Sequence, residues 1–130
     1  MEIYLRDFSQ NKGMSEKSLN SLELRNDLPK DYLELLQKYN GGEGFIAEEY
    51  LVLHKAEEIK RLNKEYGIEN FDTKIFLIGN NGNGEAIGID LRNEKTEYIL
   101  IPYSFEYKSI IKLAENINGL FKRIYEKGYF

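Results

Sequence analysis

Three residue patterns in this chain have the types and spacing to support chemistry, and the first is the run from Gly79 to Glu85. Gly79 and Gly84 have the spacing of a phosphate-binding loop, but Glu85 stands where such a loop needs lysine. The dinucleotide fingerprint fails too, because Gly82-Asn83-Gly84 is followed by Glu85-Ala86-Ile87-Gly88, one residue out of register. Asn81, Asn83 and Glu85 alternate as oxygen donors in the manner of a calcium loop, without its flanking helices or distal Glu. Two Asn-Gly pairs between apolar runs are instead a hairpin signal, since primed turns need positive φ. The second pattern is His54, the single histidine, with Ser104, Ser109 and many acids as formal triad partners. No nucleophile-elbow sequence surrounds either serine, and with no cysteine a zinc site would rest on one His and carboxylates. His54 therefore reads as a boundary or capping residue. The third is the set of paired carboxylates. Glu57-Glu58 suits the start of a helix, and Glu85 and Asp90 fall on opposite faces of one strand. No general acid–base pair, metal site or cofactor site is expected.

The elements that carry these residues follow from periodicity. Pro29 to Tyr39 reads as an amphipathic helix, with Pro29 in its first turn and Asp31 near its positive end. Tyr32, Leu35, Leu36 and Tyr39 form its apolar stripe, and Asn40-Gly41-Gly42 is the expected stop. Before it, Ser15 caps a short helix reaching about Asn26, and Gln10 to Gly13 reads as a loop. Gly44 to Ile46 and Tyr50 to Leu53 are short strands around Ala47-Glu48-Glu49. A helix from Lys55 to Tyr66 follows, with Ala56, Ile59, Leu62 and Tyr66 on one face and Gly67 as its stop. Lys74 to Gly79, Glu85 to Leu91 and Glu97 to Ile101 are strands joined by short polar connectors, hence an antiparallel meander. Ile110, Leu113, Ala114, Ile117, Leu120, Phe121 and Ile124 share a helical stripe that begins after Ser109 or after Asn116. The sum is a single α+β domain whose antiparallel sheet, of about four to six strands, is covered by helices.

Length and composition set the outer limits. A chain of 130 residues fits one domain with a real core. The balance of 18 basic against 22 acidic side chains gives a net charge of −4, which argues against direct nucleic-acid binding. The basic groupings Lys60-Arg61 with Lys64, and Lys122-Arg123, read as solvated helix faces. The apolar runs Ile75 to Ile78 and Ile99 to Ile101 are too short for a membrane span, and no signal-type segment opens the chain. A cytoplasmic location follows as the expectation. Ten tyrosines and seven phenylalanines suit core packing, with a remainder for an interface.

Taken together, Leu28-Pro29-x-Asp31-Tyr32, Asn40-Gly41-Gly42-x-Gly44, Leu51-x-Leu53, Glu58-Ile59, Ile78-Gly79, Gly84-Glu85-x-Ile87, Asp90, Ile101-Pro102 and Leu113 to Phe121 resemble the SUKH superfamily (SMI/KNR type). The resemblance covers Ser15 to Lys127 and leaves residues 1–14 as an N-terminal extension to a domain spanning 15–130. It favours Asn116 as the start of the last helix. It implies a fold without catalytic residues, in which Pro29, Asp31, Tyr32, Asn40, Gly41, Gly42, Gly79, Gly84, Glu85 and Asp90 determine structure. It also implies, for the bacterial toxin-immunity branch, a protein that binds and neutralises a cognate polymorphic toxin, such as a basic nuclease domain. The alternative is a regulatory scaffold or adaptor that binds another cellular partner. Candidate contacts are the acidic and Asn-rich loop residues Glu43, Glu48, Glu49, Asn80, Asn81, Asn83 and Glu94.

Overall fold

Strands β4 (Ile75–Asn80), β5 (Glu85–Asp90) and β6 (Glu97–Pro102) are apolar at nearly every position because both of their faces are covered. In the computed structural model, which describes residues 2–130, they form the centre of a seven-stranded sheet. Its outer strands are β1 (Phe8–Lys12), β2 (Tyr39–Ile46), β3 (Glu49–Leu53) and β7 (Ile111–Ala114). Spatial order equals chain order from β1 to β7, and every pairing is antiparallel. The expected α+β architecture is therefore present, with a wider sheet than the four to six strands anticipated.

Both extra strands come from segments whose local pattern pointed elsewhere. Gln10 to Lys12, read as loop, lie in β1 and pair with β2 at the edge of the sheet. Ile111 to Ala114, part of the helical stripe in one reading, pair with β6 as β7. The last helix, α5 (Ile117–Lys127), begins after Asn116, whose side chain accepts from the Gly119 N–H. Ser109 lies in a 3-10 turn at Tyr107–Ser109 instead.

The main core lies between the sheet and α1 (Glu16–Ser21), α2 (Lys30–Lys38), α3 (Ala56–Tyr66) and α5. Leu19, Tyr32, Leu36, Ile59, Leu120 and Phe121 meet Phe8, Ile46, Leu51, Ile78, Ile87 and Leu100 there. Helix α1 has the expected Ser15 cap but ends at Ser21, short of Asn26. The second face is covered only over β4 to β6, where Ile68 and Phe71 of α4 (Ile68–Phe71) and Tyr103, Phe105 and Ile110 cover Ile75, Leu77, Ala86, Ile99 and Ile101.

Helix α2 does more than contribute apolar area. The Asp31 carboxylate accepts from the Tyr98 hydroxyl at 2.9 Å and from the Ile117 N–H at 2.7 Å. It thus satisfies the first N–H of α5 from 86 residues away. Burial first, and the adjacent Asp31 second, push the Tyr98 phenol up, so it remains a donor. At the other end, Asn40-Gly41-Gly42 does not lie beyond the helix as a stop. Tyr39 already takes extended backbone and the three residues run inside β2. Buried Asn40 accepts from the Ala56 N–H at 2.7 Å and donates to Glu57 at 2.7 Å, capping α3, whose own N-cap residue Lys55 has no side-chain cap.

Two backbone approaches need glycine. Gly41 takes φ 76°, and a Cβ there would meet the Leu53 carbonyl at 2.5 Å. At Gly79 it would lie 2.0 Å from the Val52 carbonyl, where β3 and β4 share only two residue pairs. Past that point α3 takes over the β4 edge. Asn63 accepts from the Leu77 N–H at 2.8 Å and donates to the Leu77 carbonyl at 2.8 Å, standing in for a strand partner. Asn63, rather than Leu62 or Tyr66, is the third buried position of α3. Tyr32 is 2% exposed and its hydroxyl has no partner among the described residues, a cost of about 1–3 kcal/mol that burial of the ring offsets.

Replacing Asp31 with Ala strips one acceptor from two buried donors. Asp31→Ala should lower unfolding stability by about 2–4 kcal/mol in urea titration, and Asp31→Asn by less, because its amide oxygen still accepts.

Candidate interaction surface

The groups with chemical potential are largely engaged by the fold itself. In the β4–β5 turn the Asn80 side chain accepts from the Gly82 N–H at 2.8 Å, and Asn81 accepts from the Asn83 and Glu85 N–H groups at 2.9 and 3.2 Å. Asn81 also donates to the Glu85 carboxylate at 2.7 Å. Gly82 and Gly84 carry the positive φ values that the turn requires, 71° and 95°. The Asn81 amide oxygen and one Glu85 carboxylate oxygen are thus turned onto the loop's own donors. Asn81 is buried inside the turn, not on the exposed loop surface expected of it.

His54 sits between β3 and α3, and its backbone N–H donates to the Ile78 carbonyl at 2.9 Å. Burial pushes its imidazole down, with Glu58 acting in the opposite direction. The cleft it lines contains Ser9, Asn11, Glu43, Val52, Lys55 and Glu58, so neither Ser104 nor Ser109 accompanies it. Glu58 faces Arg61 across an exposed i,i+3 pair, and Glu57 is held below the ordinary carboxylate range, first by the Asn40 hydrogen bond.

Asp90 is buried at the end of β5 and accepts from the Arg92 N–H at 3.0 Å, its Nε at 3.0 Å and its Nη2 at 2.8 Å. Burial alone would raise its carboxyl, but the Arg92 hydrogen bonds outweigh that and hold it below the usual value. The Arg92 guanidinium lies 5.1 Å from the centre of the Tyr107 ring, and the Tyr107 hydroxyl donates to Asp72 at 2.7 Å. This chain of contacts joins three connections at one end of the sheet. Periodicity gave no sign of it, because Tyr107 and Asp72 lie in irregular segments.

What the fold leaves free is surface. Residues alternate in β2 and β3, with Ile46, Leu51 and Leu53 in the core and Glu43, Phe45, Tyr50, Val52 and His54 on the opposite, uncovered face. Phe45 and Tyr50 pack edge to face at 5.1 Å, and the Tyr50 hydroxyl donates to Glu43. A family model described as SMI1-KNR4 cell-wall, of the SUKH group, matches residues 18–121. The chain belongs to this SUKH family. No curated protein matches it.

Asp31, Asn40, Gly79, Glu85 and Asp90 each hold a turn, a helix end or a strand crossing. The candidate contacts separate into groups. Glu43 is on the uncovered face, Glu48 is in the β2–β3 turn, and Asn80 and Asn83 are in the neighbouring β4–β5 turn. A Cβ on Gly82 would lie 3.3 Å from the Tyr50 ring, so the two turns stand side by side. Glu49 belongs to the helical side, with its carboxylate beside Gly128. Glu94 is exposed in the β5–β6 connection, at the opposite end of the sheet. Ile3 and Tyr125 join Phe45 in one small cleft and were not legible locally, since they come from segments 122 residues apart in the chain. Among the described residues, no helix is long and apolar enough to cross a membrane.

Asp90 makes stability depend on acid. Its folded value lies below the ordinary 3.8, so its contribution is full above that pH and is lost as pH falls through the lower native value. Chemical denaturation from pH 7 down to about 2 should show that loss. Asp90→Asn should flatten that limb and lower stability at neutral pH by about 1–3 kcal/mol.

Proposed function

We propose that this chain is a non-catalytic immunity-type SUKH domain that binds one cognate protein toxin stoichiometrically in the cytoplasm and neutralises it. The observation that carries the reading is how the chemically capable groups are used. The carboxylates of Glu57, Glu85 and Asp90 serve a helix end, a turn and a strand end, while an acidic and aromatic surface stays uncovered. Such a surface suits recognition of a protein, and a net charge of −4 suits a basic one such as a nuclease domain. The partner is then a protein and neither nucleic acid nor membrane, and no cofactor takes part. The cell-wall wording of the matching family description favours a second reading, a regulatory scaffold that binds a cellular protein unconnected with toxins.

Co-expression separates the two. With a toxin domain encoded beside its gene, the chain should restore growth and form a complex of fixed stoichiometry by light scattering. Association should slow about tenfold as salt rises from low to physiological strength and above, because the attraction is long-range. Absence of both protection and complex for every adjacent toxin overturns the immunity reading, and a defined non-toxin partner in its place supports the scaffold.

A further inference from the structure

Six large apolar side chains are well exposed among the described residues, and three of them, Ile3 (56%), Phe45 (51%) and Tyr125 (37%), line one small cleft with Tyr4, Arg6, Asp7 and Ala47. Tyr4 packs on Tyr125 at 5.2 Å between ring centres, so the wall of this cleft is aromatic. A second cleft of about 420 Å³ adjoins it, sharing Ala47 and Tyr125 and adding Glu48, Glu49, Glu126, Lys127 and Gly128. That volume is within the range of sites that hold a ligand side chain and its flanks, about 300–1,000 Å³.

The rim of the joined clefts is acidic on balance. Asp7, Glu48, Glu49 and Glu126 face two cations, Arg6 and Lys127. Among the described residues none of these six side chains is in an ion pair, so their charges are not neutralised by neighbours within the fold. The apolar floor and acidic rim together match a segment that carries an apolar side chain flanked by cations, with guanidinium groups able to lie over the Phe45 or Tyr125 ring. Phosphate-bearing ligands are repelled by the same carboxylates. The family match stops at residue 121, so Ile3, Tyr125, Glu126 and Lys127 lie outside it, and this cleft is built partly from residues the shared pattern leaves free.

We infer that the joined clefts between the Ala47–Glu49 turn, the N-terminal turn and the end of α5 are the docking surface for a basic segment of the partner protein. The segment sets an apolar residue against Ile3, Phe45 and Tyr125 and places Arg or Lys among Glu48, Glu49 and Glu126. This rests on the reading that the partner is a basic protein.

The test is a nitrogen-15 NMR titration of the full chain with a blocked arginine–leucine–arginine tripeptide, and with glutamate–leucine–glutamate as control. Shifts from the basic peptide should concentrate at residues 3–7, 45–49 and 124–128. Phe45→Ala, and separately the triple change Glu48→Gln, Glu49→Gln, Glu126→Gln, should weaken binding at least tenfold while the remaining spectrum stays native. Shifts centred on the other exposed aromatic strip, at Tyr66 and Tyr107, overturn the inference, as does an equal response to the acidic peptide. If a toxin complex forms and neither variant weakens it, this surface is wrong while the immunity reading stands. If the peptide maps here and no toxin binds, the surface stands without that reading.

Discussion

One short helix caps two others, and most of the fold depends on that arrangement. Asp31 at the start of α2 binds the first N–H of α5 and the hydroxyl of Tyr98 on β6, and Asn40 just past its end binds the first N–H of α3. Helix ends carry unsatisfied donors that are costly when shielded from water. Supplying those acceptors from one rigid element fixes where both later helices start relative to the sheet. A helix with ordinary local caps would be positioned by apolar packing alone, which tolerates sliding far better than a pair of directed hydrogen bonds.

The sheet divides accordingly. Its central strands are buried on both faces, whereas β1 to β3 use one face for the core and leave the other open. Polar side chains serve backbone groups that strand pairing leaves free: Asn63 bonds Leu77 on the β4 edge, and Asp90, the last residue of β5, accepts from the Arg92 N–H just past the strand. On the far edge Arg123 donates to the Lys112 carbonyl of β7 and to the Gly128 and Tyr129 carbonyls, covering part of an otherwise open edge and holding the C-terminal residues. These polar contacts serve the chain's own backbone and strand ends. They also leave an exposed apolar and acidic region at the end of the sheet where the chain's first and last segments meet.

The proposed recognition is one of shape and charge. An acidic, aromatic-floored surface needs no moving parts for that proposed role, and the double capping by α2 fixes where the helices beneath it start. The same economy of residues explains why the positions that carry the SUKH resemblance are not expected to name a partner. Asp31, Asn40 and Gly79 are used inward, and the residues that face outward at the clefts fall partly beyond the family match.

Much of this was legible along the chain. Pro29 and the α2 stripe, Gly67 at φ 71° after α3, the Asn-Gly hairpin and the three central strands all rest on rules that act within about ten residues. Local signals could not decide β1 or β7, since a short polar strand such as Phe8–Lys12 exists only because β2 offers it a partner. Nor could they decide that Asn40 caps a helix rather than ending one, or that Asn81 is buried while Asn83 is exposed. The candidate surface was half legible. The acidic loops stood out by composition, but their grouping with Ile3 and Tyr125, and the separation of Glu94, depend on strand order. Sequence determined the elements and their turns because those follow from nearest-neighbour conformational preferences. Tertiary structure decided the caps, the edges and the surface, because each is a contact between residues far apart in the chain and exists only once the sheet has closed around α2.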